Sequence, residues 1–187
     1  MTQVGMTRFG FYLRAGVFFL VGVAVGTLLM QRTAAQEKPQ GKNDGLKLLV
    51  VGIAVKDYSQ SQEFYEKKMG LKTAFKFSPD ATHTTTYYQL GRDSFLEMQS
   101  ATPQMPEGLS HVHLLTDDVN ATVARFKQNG MPGSARTATT PGTVTEIGMV
   151  QPANVRSANV FDPNGIRIEL NEWLPESLTK KAAESWK

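Results

Sequence analysis

The chain has no cysteine among its 187 residues. Disulfides, thiolate metal sites, a cysteine nucleophile and lipid attachment through cysteine are all excluded. It also lacks a strong charge of either sign. Twenty Lys and Arg against seventeen Asp and Glu leave a formal net charge of +3, and the basic residues are scattered. No basic stripe with interleaved aromatics is present, so no nucleic acid is expected as a partner. A long hydrophobic run is also lacking. The most apolar stretch free of charge covers only residues 15–30, short of the roughly 20 residues that span a bilayer comfortably.

That stretch still carries information. Arg8 and Arg14 precede it, and Gln31-Arg32-Thr33-Ala34-Ala35-Gln36 follows it. A positive flank, an apolar run and small residues before a cut after Ala35 describe an export signal over residues 1–35. The alternative is an uncleaved anchor over residues 9–30, extended past Arg14, which would be the chain's only tie to a membrane. Either reading puts the folded part outside the cytoplasm, periplasmic or extracellular. Residues 36–45 are polar, with one proline and two glycines, and read as a linker.

The remainder has globular composition, 41% hydrophobic and 20% charged. Its centre is Leu109-Ser110-His111-Val112-His113-Leu114-Leu115-Thr116-Asp117-Asp118, a short apolar run ending on acidic residues. As a strand it would point His111 and His113 to one face and Val112 and Leu114 to the other. The pattern occurs twice. Laying Val112 on Val51 sets Leu114 on Ile53, Asp118 on Asp57, Phe126 on Tyr65, and His111 on Val50. Each copy reads strand, acidic turn, helix and glycine (Gly70 and Gly130). Each is followed later by a strand carrying one glutamate among apolar neighbours, Glu97 and Glu169. Two copies make a duplicated module rather than a solenoid.

In chain order, the first copy is expected to form a strand over residues 47–55 covered on both faces. A helix follows from a Ser59/Gln62 capping box to about Met69, burying Phe64, Tyr65 and Met69. Strands are expected over residues 72–77, 84–90 and 94–99. Residues 102–108 link the copies. In the second copy the helix over about 119–129 places Val119, Val123 and Phe126 on a core-facing stripe. A strand is expected near 144–150 within a mobile Gly-, Thr- and Pro-rich segment. Strands over 155–161 and 166–170 are joined by the turn Asp162-Pro163-Asn164-Gly165. Residues 175–187 form a polar tail, helical at most, with no assigned role. The fold class is therefore α+β. Two tandem βαβββ modules, residues 46–101 and 109–174 of a domain spanning 46–174, form a curved sheet around a cleft, with helices on the outer faces.

These motifs together resemble the vicinal oxygen chelate superfamily, which includes glyoxalase I, fosfomycin-resistance proteins, extradiol dioxygenases and bleomycin-resistance proteins. The resemblance rests on Val51-Gly52-Ile53-Ala54-Val55-Lys56-Asp57 with Phe64-Tyr65 and Gly70-Leu71, on His111-Val112-His113 with Asp117-Asp118 and Gly130, and on residues 161–170. It implies a glyoxalase/dioxygenase-like fold and a metal held at up to four positions, here Val50, Glu97, His111 and Glu169. Valine offers no donor. One imidazole and two carboxylates suit Mn, Fe, Co, Ni or Zn. His113, on the same face, can replace the missing donor and bring the set close to the non-haem iron arrangement. Without a metal, His111 would instead pair with Glu97 or Glu169, because a buried carboxylate needs a partner. Arg167 is a further candidate to neutralise Glu169.

Two functions follow. The first is a divalent-metal-dependent enzyme, a lyase/isomerase or a dioxygenase acting on a small oxygenated compound, with Glu97 or Glu169 as the catalytic proton carrier. The second is a metal-free binding module that sequesters a small molecule, as bleomycin-resistance proteins are thought to do. The modules can close on each other within one chain or across a homodimer.

Overall fold

The computed structural model describes residues 45–78 and 83–187. The expected export signal or anchor and nearly all of the linker lie outside the described residues. Ten strands and three helices follow in order. They are β1 (Lys47–Val55), α1 (Tyr58–Glu63), β2 (Lys72–Phe77), β3 (Thr85–Gly91), β4 (Ser94–Ser100), β5 (Gly108–Leu115), α2 (Val119–Gln128), β6 (Gly133–Ser134), β7 (Val144–Thr145), β8 (Gly148–Val150), β9 (Val155–Phe161), β10 (Arg167–Trp173) and α3 (Leu178–Glu184). All ten strands join one mixed sheet, in the order β2-β3-β4-β1-β5-β10-β9-β7-β6, with β8 also on β9. The fold is α+β, and the doubled pattern is visible in its pairing. β1 runs parallel to β4, β5 runs parallel to β10, and β1 meets β5 antiparallel at the seam between the modules.

Strand alternation and register divide the sheet into two faces. Val50, Phe95 and Tyr87 share the cleft face with His111 and His113. Thr86, Tyr88, Met98, Val112 and Leu170 share the outer face. α2 covers the outer face of the second module, where Val119 and Val123 pack with Val144, Ala158, Val160 and Leu170. Asp118 caps it by accepting from the amides of Asn120 and Ala121, satisfying donors that a helix start leaves open. α1 covers the first module through a Tyr58–Thr86 hydroxyl contact, and just after it Tyr65 packs at a tilt against Tyr88, 5.6 Å between ring centroids.

Several expectations are corrected. The cap of α1 is Asp57, which accepts from the Gln60 amide; the Ser59/Gln62 box does not form. After Glu63 the helix widens into a π turn over Phe64–Lys68, closed by the Met69 amide on the Phe64 carbonyl. Widening changes the angular phase of the following side chains. Phe64 and Met69 are accordingly 47% and 53% exposed, and only Tyr65 packs inward. β1 is central but not fully covered on its outer side, where Val51, Ile53 and Val55 are half-buried. The strand expected near 144–150 is split into β7 and β8, which pair with successive stretches of β9.

The tail is helical, as its sequence allowed, and it contributes to the core. Residues 178–184 form α3, and it packs on the cleft face. Ala182 joins Val50, Tyr87, Phe95 and Leu115 in one buried cluster. Trp173 donates its indole N–H to Thr179 Oγ1 at 2.8 Å, and Gln89 donates to the Ala182 carbonyl at 3.1 Å. Two helices cover the outer faces, as expected, while the third fills one end of the cleft.

Candidate metal centre

β4, β1 and β5 lie side by side, and in register Gly52 is flanked by Glu97 and His111. The absence of a side chain at Gly52 is what brings the other two together. A Cβ added there would lie 2.6 Å from His111 Cε1 and 2.7 Å from Nδ1. The imidazole therefore lies across the backbone of β1 and reaches Glu97 on the far side. His111 Nε2 stands 3.4 Å from Glu97 Oε2. The His113 ring stacks on it, with centroids 4.6 Å apart and planes at 28°, and His113 Nε2 is 3.2 Å from the same oxygen. All three residues are buried, and one donor atom from each lies within 4.8 Å of the others.

The hydrogen bonds behind these atoms fix their orientation. His113 Nδ1 is 2.8 Å from Asn171 Oδ1, which can only accept, so Nδ1 carries the proton and Nε2 presents its lone pair. Asn171 is held in that orientation by donating through Nδ2 to Glu169 Oε1 at 3.0 Å. His111 Nδ1 contacts Ser110 Oγ at 2.8 Å. Glu97 accepts from Tyr87 Oη on Oε2 at 2.7 Å and from Gln99 Nε2 on Oε1 at 2.6 Å. Such outer partners are what metal-ligating imidazoles and carboxylates use to hold their aim.

Burial opposes every charge in the centre. It would raise the Glu97 carboxyl, but the two histidines overcome it and hold that group below the usual carboxylate range. His111 is lowered, burial outweighing Glu97. His113 is raised despite burial, because Glu169 and Glu97 both favour its cation. Glu169 is lowered, with His113 and Asn171 prevailing over burial. The Tyr87 phenol is pushed well up, first by burial and then by Glu97, and stays a hydrogen-bond donor.

The donor set fits a divalent metal. Ligand bonds of about 2.0–2.2 Å put neighbouring donors roughly 3.0–3.5 Å apart, and both separations from Glu97 Oε2 fall in that interval. Among the described residues His113 Nε2 is buried with no hydrogen-bond partner, although Glu97 Oε2 lies 3.2 Å away. An orphaned lone pair aimed beside a carboxylate is costly unless something binds it. Two imidazoles and one carboxylate are the donors of the facial triad that holds non-haem iron.

Of the four expected ligands, the structure gathers Glu97, His111 and His113. Glu169 stands beside them: its Oε2 is 4.0 Å from His113 Nε2, and it lines the same cavity of about 230 Å3 together with Tyr87, Gln99, Asn171 and Thr179. Val50 is 1% exposed and absorbed into the apolar cluster under α3. Arg167 does not neutralise Glu169; Asn171 holds that carboxylate instead. The sequence reading missed Gly52, Gln99 and Asn171 as parts of the centre. The last two had a signal, since each glutamate carries an amide residue two positions on, as Glu97-Met98-Gln99 and Glu169-Leu170-Asn171.

A family model described as the Glyoxalase/Bleomycin resistance protein/Dioxygenase superfamily matches residues 47–170. The chain belongs to that superfamily. No curated protein matches its sequence. Among solved structures, methylmalonyl-CoA epimerase from Mycobacterium tuberculosis is similar with a TM-score of 0.57 at 17% identity, over 74% of this chain and 95% of that one. The hypothetical protein BH1468 from Bacillus halodurans C-125 gives 0.54 at 18% identity, over 71% and 97%. BphC, a halotolerant catechol dioxygenase, gives 0.52 at 20% identity, over 71% of this chain and 44% of the dioxygenase. At these identities the likenesses establish the superfamily fold and leave the chemistry to be argued from the centre itself.

Proposed function

We propose that the protein is an exported enzyme that uses a divalent metal to act on a small compound with two adjacent oxygens. The observation that carries this reading is the convergence of Glu97 Oε2, His111 Nε2 and His113 Nε2 in a buried site, with one of the three otherwise unpartnered. When bound there, a cation would supply Lewis acidity to the oxygens of the substrate. Glu97, His111 and His113 would hold it, and Tyr87 and Gln99 would keep the Glu97 carboxylate oriented.

Glu169 is the residue placed to move a proton. Its Oε1 is tied to Asn171, while the carboxylate lines the cavity and stays ionised under the influence of His113. It can accept a proton from a carbon next to a chelated oxygen and return it, which is the requirement of isomerase or lyase chemistry. A small, partly closed cavity favours that transfer by limiting competing water. The two-histidine, one-carboxylate set supports a dioxygenase as the second enzymatic reading.

The metal-free alternative, a binding module, draws on the same distances. Glu97 Oε2 lies within ion-pair range of both imidazoles, so an imidazolium–carboxylate cluster could close the site without a cation. Elemental analysis of the purified protein separates the readings. About one equivalent of a transition metal, lost in His111→Ala and in His113→Ala while folding is retained, supports the enzyme. Full folding and ligand binding without any metal would favour the binding module.

A further inference from the structure

The cavity at the metal centre is not the only one on this face. A larger cavity of about 970 Å3 opens beside it, and the two share two lining residues, His111 and Arg167. Arg167 is thus at the junction between the metal centre and the outer space. Its side chain makes no hydrogen bond or ion pair with any described residue, although it lies on the same strand face as Glu169. The other arginine of the outer cavity, Arg136, is committed: it donates to the Ser157 carbonyl at 2.9 Å and to Ser157 Oγ at 2.8 Å. A half-buried guanidinium without a partner, set between two cavities, is an anchor for an anion. Close by, the buried Asn159 amide lines the outer cavity with its oxygen unpartnered.

We propose that Arg167 is a specificity-determining residue that selects substrates bearing a carboxylate next to their chelating oxygens. The inference rests on the metal-dependent reading above and extends it to the substrate class. Among the described residues Arg167 is the only Lys or Arg lining the inner cavity, which suits one carboxylate better than a doubly charged phosphate. At about 30 Å3 per water, the inner cavity of about 230 Å3 has room for about eight non-hydrogen atoms, so a larger molecule must extend out of it. The body of the molecule runs into the outer cavity, where Met105, Pro106, Phe161 and Ile166 form an apolar wall. The expected substrate is a small oxygenated acid with an apolar body.

The test uses the full-length protein loaded with Co(II), whose visible spectrum reports ligands that reach the cation. Two probes, catechol and 2,3-dihydroxybenzoate, share the same pair of oxygens and differ by one carboxylate, which in the acid lies next to that pair. The acid should bind at least about tenfold tighter to the wild type. Arg167→Gln should bring it level with catechol at unchanged cobalt content, and Arg167→Lys should keep part of the preference. A preference that survives Arg167→Gln, or equal binding of both probes to the wild type, overturns the proposal and leaves the metal reading intact. Failure to take up cobalt at all removes the metal reading and this inference with it.

Discussion

The two modules are copies in plan and unlike in what they contribute. Each ends on a strand whose glutamate is steadied by an amide two residues on, Gln99 for Glu97 and Asn171 for Glu169. In the second module the glutamate is registered against an imidazole, Glu169 on His113; in the first it is registered against a glycine, Glu97 on Gly52. The second module therefore holds both histidines, and the first holds the space they lean into. Val50, the counterpart of His111, has become core under α3. Duplication gives two equivalent sets of positions, but the centre needs one carboxylate within reach of two rings. Loss of side-chain bulk in the first copy matters as much as donors in the second.

The sharpest way to break this comparison is to remove a donor from the richer module. His113→Ala should lower affinity for a divalent metal by more than about 100-fold, beyond what outer partners usually account for, with an unchanged circular dichroism spectrum. Filling the space in the poorer module comes next. Gly52→Ala needs no unusual backbone, yet its Cβ would meet His111 at 2.6 Å; displacing the ring should cost roughly 10–100-fold in metal affinity, measured by competition with a chelator. Tyr87→Phe removes the hydroxyl that steadies Glu97 and should cost about tenfold in the same assay. The smallest effect is expected at α3. Thr179→Val takes away the partner of the Trp173 indole and should lower stability by about 1 kcal/mol, read by denaturant unfolding, with metal affinity unaffected.

Much of the fold was legible because duplication gives each module a second copy of its own pattern. The β2 and β9 limits coincide with the expected strands, and the turn before β10 is written in Asp162–Gly165, where Asp162 Oδ1 accepts the amides of Asn164 and Ile166. Less regular features were hidden for identifiable reasons. A π turn leaves no periodic signature, so Phe64 and Met69 were assigned to the core that they face away from. α3 is seven residues long and buries alanines and a threonine rather than a large apolar stripe. At the centre, strand alternation was enough to put His111 and His113 on one face, with Glu97 and Glu169 on the last strand of each module. Which carboxylate the rings reach depended on pairing across β1, and on a glycine whose importance lies in what it leaves out.

The central claim is that Glu97, His111 and His113 bind one cation between them. A crystal structure of the protein grown with Co(II), with anomalous data at the cobalt edge, addresses it directly. The account requires a single strong peak about 2.0–2.2 Å from Glu97 Oε2 and from the Nε2 atoms of both histidines. Imidazoles hydrogen-bonded to Glu97 with no anomalous peak between them, in crystals soaked to saturation, would contradict it.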